Sequence, residues 1–230
     1  MRWLLLGLMV TLVAGCSSTN YRDLPADVRA QMIQDHLEEG QQQMIQGGEQ
    51  LQGTRGDAQA DLALEHFTRA QNHFQTALDI ADAARGTTRS ALPRVALANS
   101  LHLIASVYEW KRDDVWEQIR PRKEKGEDTA SLEAIAKVHD DAAEDYALRA
   151  QDLYEYYLNY LYASYPIQDV FMKIGRNYQI LSEWRKSADS YRRYIRELKL
   201  PPGHPGRVKL EQAIRVLDQR ALEAIDEGLR

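Results

Sequence analysis

Apolar positions along this chain recur at intervals of three and four residues, in segments separated by short clusters of glycine and proline. The segments are rich in Ala, Leu, Gln, Glu and Arg, which favour helices, and none shows the alternation or β-branched enrichment of a strand. The pattern predicts an all-α protein, and it leaves open whether the segment 130–164 is one helix or two. About seven helices are expected, at 25–46, 58–84, 92–118, 130–164, 167–181, 184–199 and 207–228.

A ten-residue motif occurs three times, as RAQNHFQTAL, RAQDLYEYYL and KSADSYRRYI. In each copy a small residue is followed by an aromatic residue four positions later and by a third residue three positions beyond. All three lie on one face of a helix, where the small residue permits close helix approach and the aromatic ring fills the space beside it. The predicted core residues of the repeats are Ala70, Phe74 and Ala77, then Ala150, Tyr154 and Tyr157, then Ser187, Tyr191 and Tyr194.

The third copy belongs to a longer segment, 171–202, which carries Gly175, Tyr178 and Trp184 before the motif and Pro201 after it. In this spacing it resembles a tetratricopeptide repeat, a helical hairpin that buries its apolar face by stacking on the next hairpin. The resemblance implies that Gly175 lets the paired helix approach and that Tyr178 packs into the hairpin.

The same resemblance implies a solenoid of stacked antiparallel hairpins: two enlarged hairpins, one ordinary repeat and a closing helix. The closing helix, 207–228, suits an end cap, although an amphipathic helix that binds a partner would have the same pattern.

The chain begins MRWLLLGLMVTLVAGC, a basic residue followed by an apolar run from Trp3 to Val13 that is too short to span a bilayer. Cys16, the only cysteine, follows the small residues Ala14 and Gly15. This ending resembles the lipobox of bacterial lipoproteins. The alternatives are a secreted protein with an unrelated cysteine and a cytosolic protein with an apolar start.

The lipobox resemblance divides the chain into a signal peptide that is removed (1–15), a lipidated cysteine with a polar tether (16–24) and a helical domain (25–230). It implies that Cys16 carries acyl chains such as palmitate. Since Ser17 rather than an aspartate follows the cysteine, it also implies an outer-membrane location facing the periplasm.

Composition narrows the possible functions. The 230 residues include 29 basic and 34 acidic side chains, for a formal net charge of −5, whereas nucleic-acid binding needs a concentrated basic surface. The sequence holds no G-x-S-x-G, P-loop, H-E-x-x-H or G-x-G-x-x-G motif. His66, His73 and His139 do not supply three or four ligands at a recognised spacing, so no metal, cofactor or catalytic residue is predicted apart from the lipid on Cys16.

Ten of the twelve tyrosines lie between Tyr146 and Tyr194, more than one helix face can bury. Tyrosine combines a large contact area with a hydroxyl group, as in binding hot spots. Tyr156, Tyr160 and Tyr162 are therefore predicted to line a groove for a partner, the alternative being solvated neighbours of core tyrosines. The basic segment 111–129 is expected to be a solvated loop, or else a contact for anionic lipid, peptidoglycan or an acidic partner.

These features predict a non-catalytic scaffold that is anchored in the outer membrane and binds protein partners of an envelope assembly complex. One alternative is an enzyme or regulator of cell-wall metabolism, with carboxylates such as Glu144 and Asp145 in acid–base roles. Another is a lipoprotein that binds a small ligand. A deep pocket with paired carboxylates would favour the enzyme, and a shallow groove would favour the scaffold.

Overall fold

The computed structural model describes residues 21–52, 56–83, 90–167 and 169–226. Within these ranges the regular secondary structure is helical, with seven α-helices, a short 3₁₀ turn near the start and no strand, which confirms the predicted all-α class. The turn is Tyr21–Asp23. The helices in chain order are α1 (Ala26–Gln50), α2 (Asp57–Ala83), α3 (Ala91–Glu124), α4 (Ala130–Tyr160), α5 (Val170–Ile180), α6 (Trp184–Glu197) and α7 (Pro205–Asp226).

The helices pack as neighbouring antiparallel pairs. Helices α1 and α2 form the first hairpin, α3 and α4 the second, α5 and α6 the third, and α7 packs against α6. Adjacent hairpins touch through α2 with α3 and through α4 with α5, and the first helices of successive hairpins also touch one another. This arrangement fits an all-α helical-repeat fold.

The largest buried cluster joins α2, α3, α4 and α5. Tyr154 and Tyr157 lie at its centre with no exposed surface. Eight of the eleven residues predicted as repeat core are at most 6% exposed, and Gly175 is buried as well. Tyr178 and Tyr194 instead lie half-buried at the edge of the cluster. The eight are Ala70, Phe74, Ala77, Ala150, Tyr154, Tyr157, Ser187 and Tyr191.

Glycines allow the two helices of a hairpin to approach closely. A Cβ atom at Gly40 would lie 2.4 Å from Cε1 of Phe74 on the facing helix, and one at Gly175 would lie 2.4 Å from Cε1 of Tyr191. Gly47 faces Phe67 in the same way, at 2.5 Å. The aromatic residue of the sequence motif therefore packs directly on the backbone of the partner helix, in both the first and the third hairpin.

Two helices run farther than the sequence predicted. Helix α1 continues through Gly47 to Gln50 because this glycine packs against a buried ring rather than ending the helix. Helix α3 continues through Pro121 to Glu124, so most of the expected loop 111–129 is helical. The segment 130–164, which the sequence left open as one helix or two, contains a single helix. This helix ends at Tyr160 and is followed by a turn.

Among the described residues, no helix combines the length and the apolar character that crossing a bilayer requires. The predicted signal peptide and Cys16 lie outside those residues. The end of the predicted tether is inside them, and there Arg29 Nη1 donates hydrogen bonds to the carbonyl oxygens of Tyr21 and Arg22, at 3.2 and 2.9 Å. The chain is therefore held against the first helix from residue 21 onward.

Candidate functional site

A groove lies along the face that α1, α3 and α5 share. It consists of two adjoining depressions of about 300 and 290 Å³, and His102, Leu103 and Arg176 line both of them. We call it the α1/α3/α5 groove. Its remaining lining residues are Met44, Leu51, Asn99, Ser106, Val107, Trp110, Met172 and Lys173.

The position of the groove follows from the stacking of the hairpins. Each hairpin contributes its first helix to one layer, so side chains from three distant segments meet there. Helix α3 is in the middle, and its lining residues repeat at Asn99, Leu103, Ser106 and Trp110, which is the spacing of one helical face. Leucine, valine and methionine side chains make most of this surface apolar, and methionine adapts easily to partners of different shape.

His102 is the buried polar group of the groove, with 5% of its surface exposed. Its Nδ1 lies 3.3 Å from Oδ1 of Asn177, whose amide nitrogen donates to the carbonyl oxygen of Ala147 at 2.8 Å and to Oε1 of Gln151 at 3.2 Å. Because Oδ1 only accepts, the neutral ring carries its proton on Nδ1 and leaves Nε2 as an acceptor. Asn177 thus connects α3, α4 and α5 directly behind the groove.

The pKa of His102 is lowered to about 4, mainly by burial; the hydrogen bond from the ring to Asn177 opposes this effect, and the nearby charges of Arg176 and Lys173 add to it. Burial also lowers the pKa of Lys173, and Asp169 opposes that effect. The groove therefore combines an imidazole that is uncharged at neutral pH with the basic side chains of Lys173 and Arg176. That combination of apolar surface and positive charge suits a ligand with apolar groups and a carboxylate.

The low pKa of His102 predicts a pH-dependent stability. The unfolded chain binds a proton near pH 6.5 and the folded chain only near pH 4, so the free energy of unfolding falls as the pH drops between these values. This group alone should cost about 2 kcal/mol between pH 7 and pH 5. Urea unfolding at both pH values measures the loss. His102→Asn keeps a donor toward Asn177 and should lose about 2 kcal/mol less over the same interval; an equal loss in both proteins contradicts the assignment.

The three tyrosines predicted to bind a partner do not line this groove. Tyr156 and Tyr160 are 42% and 71% exposed on α4, with their ring centroids 4.8 Å apart. Tyr162 packs edge-on against Tyr157 and Phe171, with centroid distances of 5.9 and 5.3 Å. Tyr162 is therefore half-buried beside the main cluster, whereas Tyr156 and Tyr160 are exposed. That the three tyrosines bind a partner stays a prediction.

The other candidate groups lie elsewhere. Glu144 and Asp145 are exposed on α4, where Asp145 pairs with Arg149 at 3.6 Å, and neither lines the groove. In the segment 111–129, Arg112 bridges α3 to α4 through Asp140 at 2.8 Å. This basic segment is therefore committed in part to holding the second hairpin together.

The three histidines that the sequence singled out, His66, His73 and His139, lie at two helix interfaces, α1/α2 and α3/α4. His66 Nδ1 lies 2.8 Å from Oε1 of Gln43, and the ring of His139 lies beside that of Tyr108. His73 does not meet His66 but reaches across to His36 of α1. No sequence pattern singled out His36, because its partner lies 37 positions away.

Sequence reasoning missed the groove because its residues belong to three segments whose apolar faces it treated only as core. The available signal was the second stripe on α3, which runs from Asn99 to Trp110 beside the core stripe that includes Ile104. Comparisons with protein-family models, curated proteins and solved structures give no match to this chain.

Proposed function

We propose that this protein is a lipid-anchored scaffold on the periplasmic side of the outer membrane, which binds a protein partner of an envelope assembly complex through the α1/α3/α5 groove. The observation that carries the proposal is the continuous groove built from three successive hairpins. The export and anchoring part rests on the lipobox-like sequence that ends at Cys16.

The shape of the groove supports a polypeptide as its ligand. Each depression has a volume at the small end of the range for small-molecule pockets, and the two are joined side by side. Such a surface accommodates successive side chains of one segment better than one compact ligand. An amphipathic helix or extended segment would place an apolar residue in each depression.

The charges indicate the chemistry of that segment. Lys173 and Arg176 both line the groove, and no carboxylate is among its lining residues. An acidic residue or a chain-terminal carboxylate next to the apolar residues would pair with these cations.

The exposed pair Tyr156 and Tyr160 on α4 is a second surface, small and separate from the groove, that the same experiment can test.

Site-specific photo-crosslinking in intact membranes tests the proposal. A photo-crosslinking residue replaces Ser106 in the groove or, as a control, Leu148, which is 50% exposed on α4. We expect one defined envelope protein joined to the chain from position 106 and not from position 148. Adducts from position 148 alone, or none from position 106, would contradict a role for the groove.

Charge reversal provides the matched comparison. Arg176→Glu should reduce the adduct at least tenfold, whereas Arg185→Glu, an identical change at an exposed position on α6, should not.

Tyr160→Ala tests the tyrosine pair, and loss of the adduct in this variant alone would move the binding surface to α4. Cys16→Ser should accumulate as an unprocessed precursor; normal processing and membrane attachment of this variant would contradict the lipid anchor.

A further inference from the structure

Three side chains with metal-binding atoms converge between α1 and α2. His36 and Glu39 come from α1 and His73 from α2. The two Nδ1 atoms lie 3.3 Å apart, and Oε2 of Glu39 lies 3.0 Å from Nδ1 of His73 and 3.7 Å from Nδ1 of His36. Two imidazole nitrogens and a carboxylate oxygen therefore point at one small volume.

These separations match the edges of a tetrahedron around a zinc ion. Zn²⁺ binds histidine nitrogen at about 2.0–2.1 Å and carboxylate oxygen at about 2.0–2.2 Å, which places any two tetrahedral ligands roughly 3.3 Å apart. The three observed distances lie around that value. An octahedral ion with bonds of similar length would bring neighbouring ligands closer, to about 3.0 Å.

The first hairpin holds this geometry in place. One turn along α1 from His36, the backbone of Gly40 packs against the ring of Phe74, the residue after His73. This contact fixes the distance between the helices within one turn of the point where the two histidines face each other. His36 and Glu39 are three residues apart on α1, so both reach the same side of the helix.

The site is open on one side. The side chains of His36 and His73 are 28% and 31% exposed, and that of Glu39 is 58% exposed. Three protein ligands at an open edge leave the fourth position of a tetrahedral ion to water or to a group from a partner. In a neighbouring layer of the same interface His66 pairs with Gln43, and among the described residues His66 belongs to no group of three potential metal ligands. The first hairpin thus carries its own matched control.

We propose that His36, Glu39 and His73 bind one divalent transition-metal ion, for which Zn²⁺ is the best match, and that this ion crosslinks α1 to α2. The ion requires both imidazole nitrogens unprotonated, so it displaces the proton that the two facing nitrogens otherwise share as a hydrogen bond. This proposal does not rest on the groove, because none of the three ligand residues is among those that line it.

Zinc titration of the full chain in detergent micelles, purified with a tag that contains no histidine, tests the site. Competition with a chromophoric chelator should give one Zn²⁺ per chain. His36→Gln, His73→Gln and Glu39→Gln should each weaken the affinity tenfold or more. His66→Gln and Glu38→Gln, matched changes beside the site, should leave it unchanged. Co²⁺ in place of Zn²⁺ should give the intense visible absorption of a tetrahedral ion.

Thermal unfolding separates metal binding from a simple pair of hydrogen-bonded histidines. Zn²⁺ should raise the midpoint temperature of unfolding of the wild type and of His66→Gln but not that of His73→Gln. The reason is that an ion bound to the folded state shifts the unfolding equilibrium toward that state. Without metal the three proteins should have the same helical circular dichroism, which shows that they are folded. Absence of stoichiometric zinc, or binding that His73→Gln leaves unchanged, would overturn the proposal.

Discussion

Replacing Tyr154 with alanine is expected to lower the free energy of unfolding by about 4 kcal/mol. The ring has no exposed surface and lies in the cluster that joins α2, α3, α4 and α5. Its hydroxyl donates a hydrogen bond to Oδ1 of Asn99 at 2.8 Å, and burial raises the pKa of this hydroxyl, so it stays protonated at any physiological pH. The alanine variant loses the packing and the hydrogen bond together. Urea unfolding of the full chain, followed by circular dichroism, measures the change.

Two further variants on the same helix separate the causes. Tyr154→Phe keeps the ring and removes only the hydroxyl, so it should cost about 1 kcal/mol. Tyr160→Ala removes a tyrosine that is 71% exposed and should change stability by no more than about 0.5 kcal/mol. If Tyr154→Ala costs no more than Tyr160→Ala, the packing assigned to the centre of the fold is wrong.

Tyr154 also connects the core to the groove. Its hydrogen-bond partner Asn99 also lines the groove. Tyr154→Phe therefore releases the side chain of a groove residue without changing the groove lining itself. A weaker crosslink at position 106 in this variant would follow from altered positioning of Asn99, and it would do so at nearly unchanged stability.

The helices were predictable from sequence because their signal is local. Periodic apolar positions and good helix formers determine that α1 to α7 are helices, and the motif around Phe74, Tyr154 and Tyr191 identifies residues that the fold buries. The ends were less predictable, since they depend on contacts with other segments. Ile119 is fully buried and Lys123 pairs with Glu133 at 2.9 Å, and these contacts extend α3 through the proline that suggested a break.

The candidate sites were harder to predict for the same reason. Periodicity reveals which face of α3 is apolar, but not that a second stripe meets Met44 and Arg176 from segments far along the chain. The turn after α4 likewise packs Tyr162 against Tyr157 and Phe171, contacts that helical periodicity alone does not predict. His36 and His73 are 37 positions apart, and only the pairing of two helices brings their nitrogens together.

Gly40→Ala is expected to destabilise the first hairpin by about 3 kcal/mol, although alanine is the better helix former. The new methyl carbon would lie 2.4 Å from Cε1 of Phe74, a ring that is 2% exposed and packed in the main cluster. A buried ring has little room to move, so the helices must separate. Urea unfolding measures the cost, and zinc affinity provides a second readout, because His36 and His73 lie one turn away and would be pushed apart.

Gly48→Ala is the control, since nothing lies within 4 Å of a methyl group added at this position of the same helix. It should be neutral or stabilise the protein by up to about 1 kcal/mol through helix propensity. The double variant Gly40→Ala with Phe74→Leu should lose less free energy of unfolding than the two single variants lose together, because the smaller side chain makes room for the methyl group. Additive costs would mean that Gly40 serves something other than the close approach of α1 and α2. If stability and zinc affinity recover in the double variant, the contact between Gly40 and Phe74 sets the spacing of the hairpin and, with it, the distance between the two facing histidines.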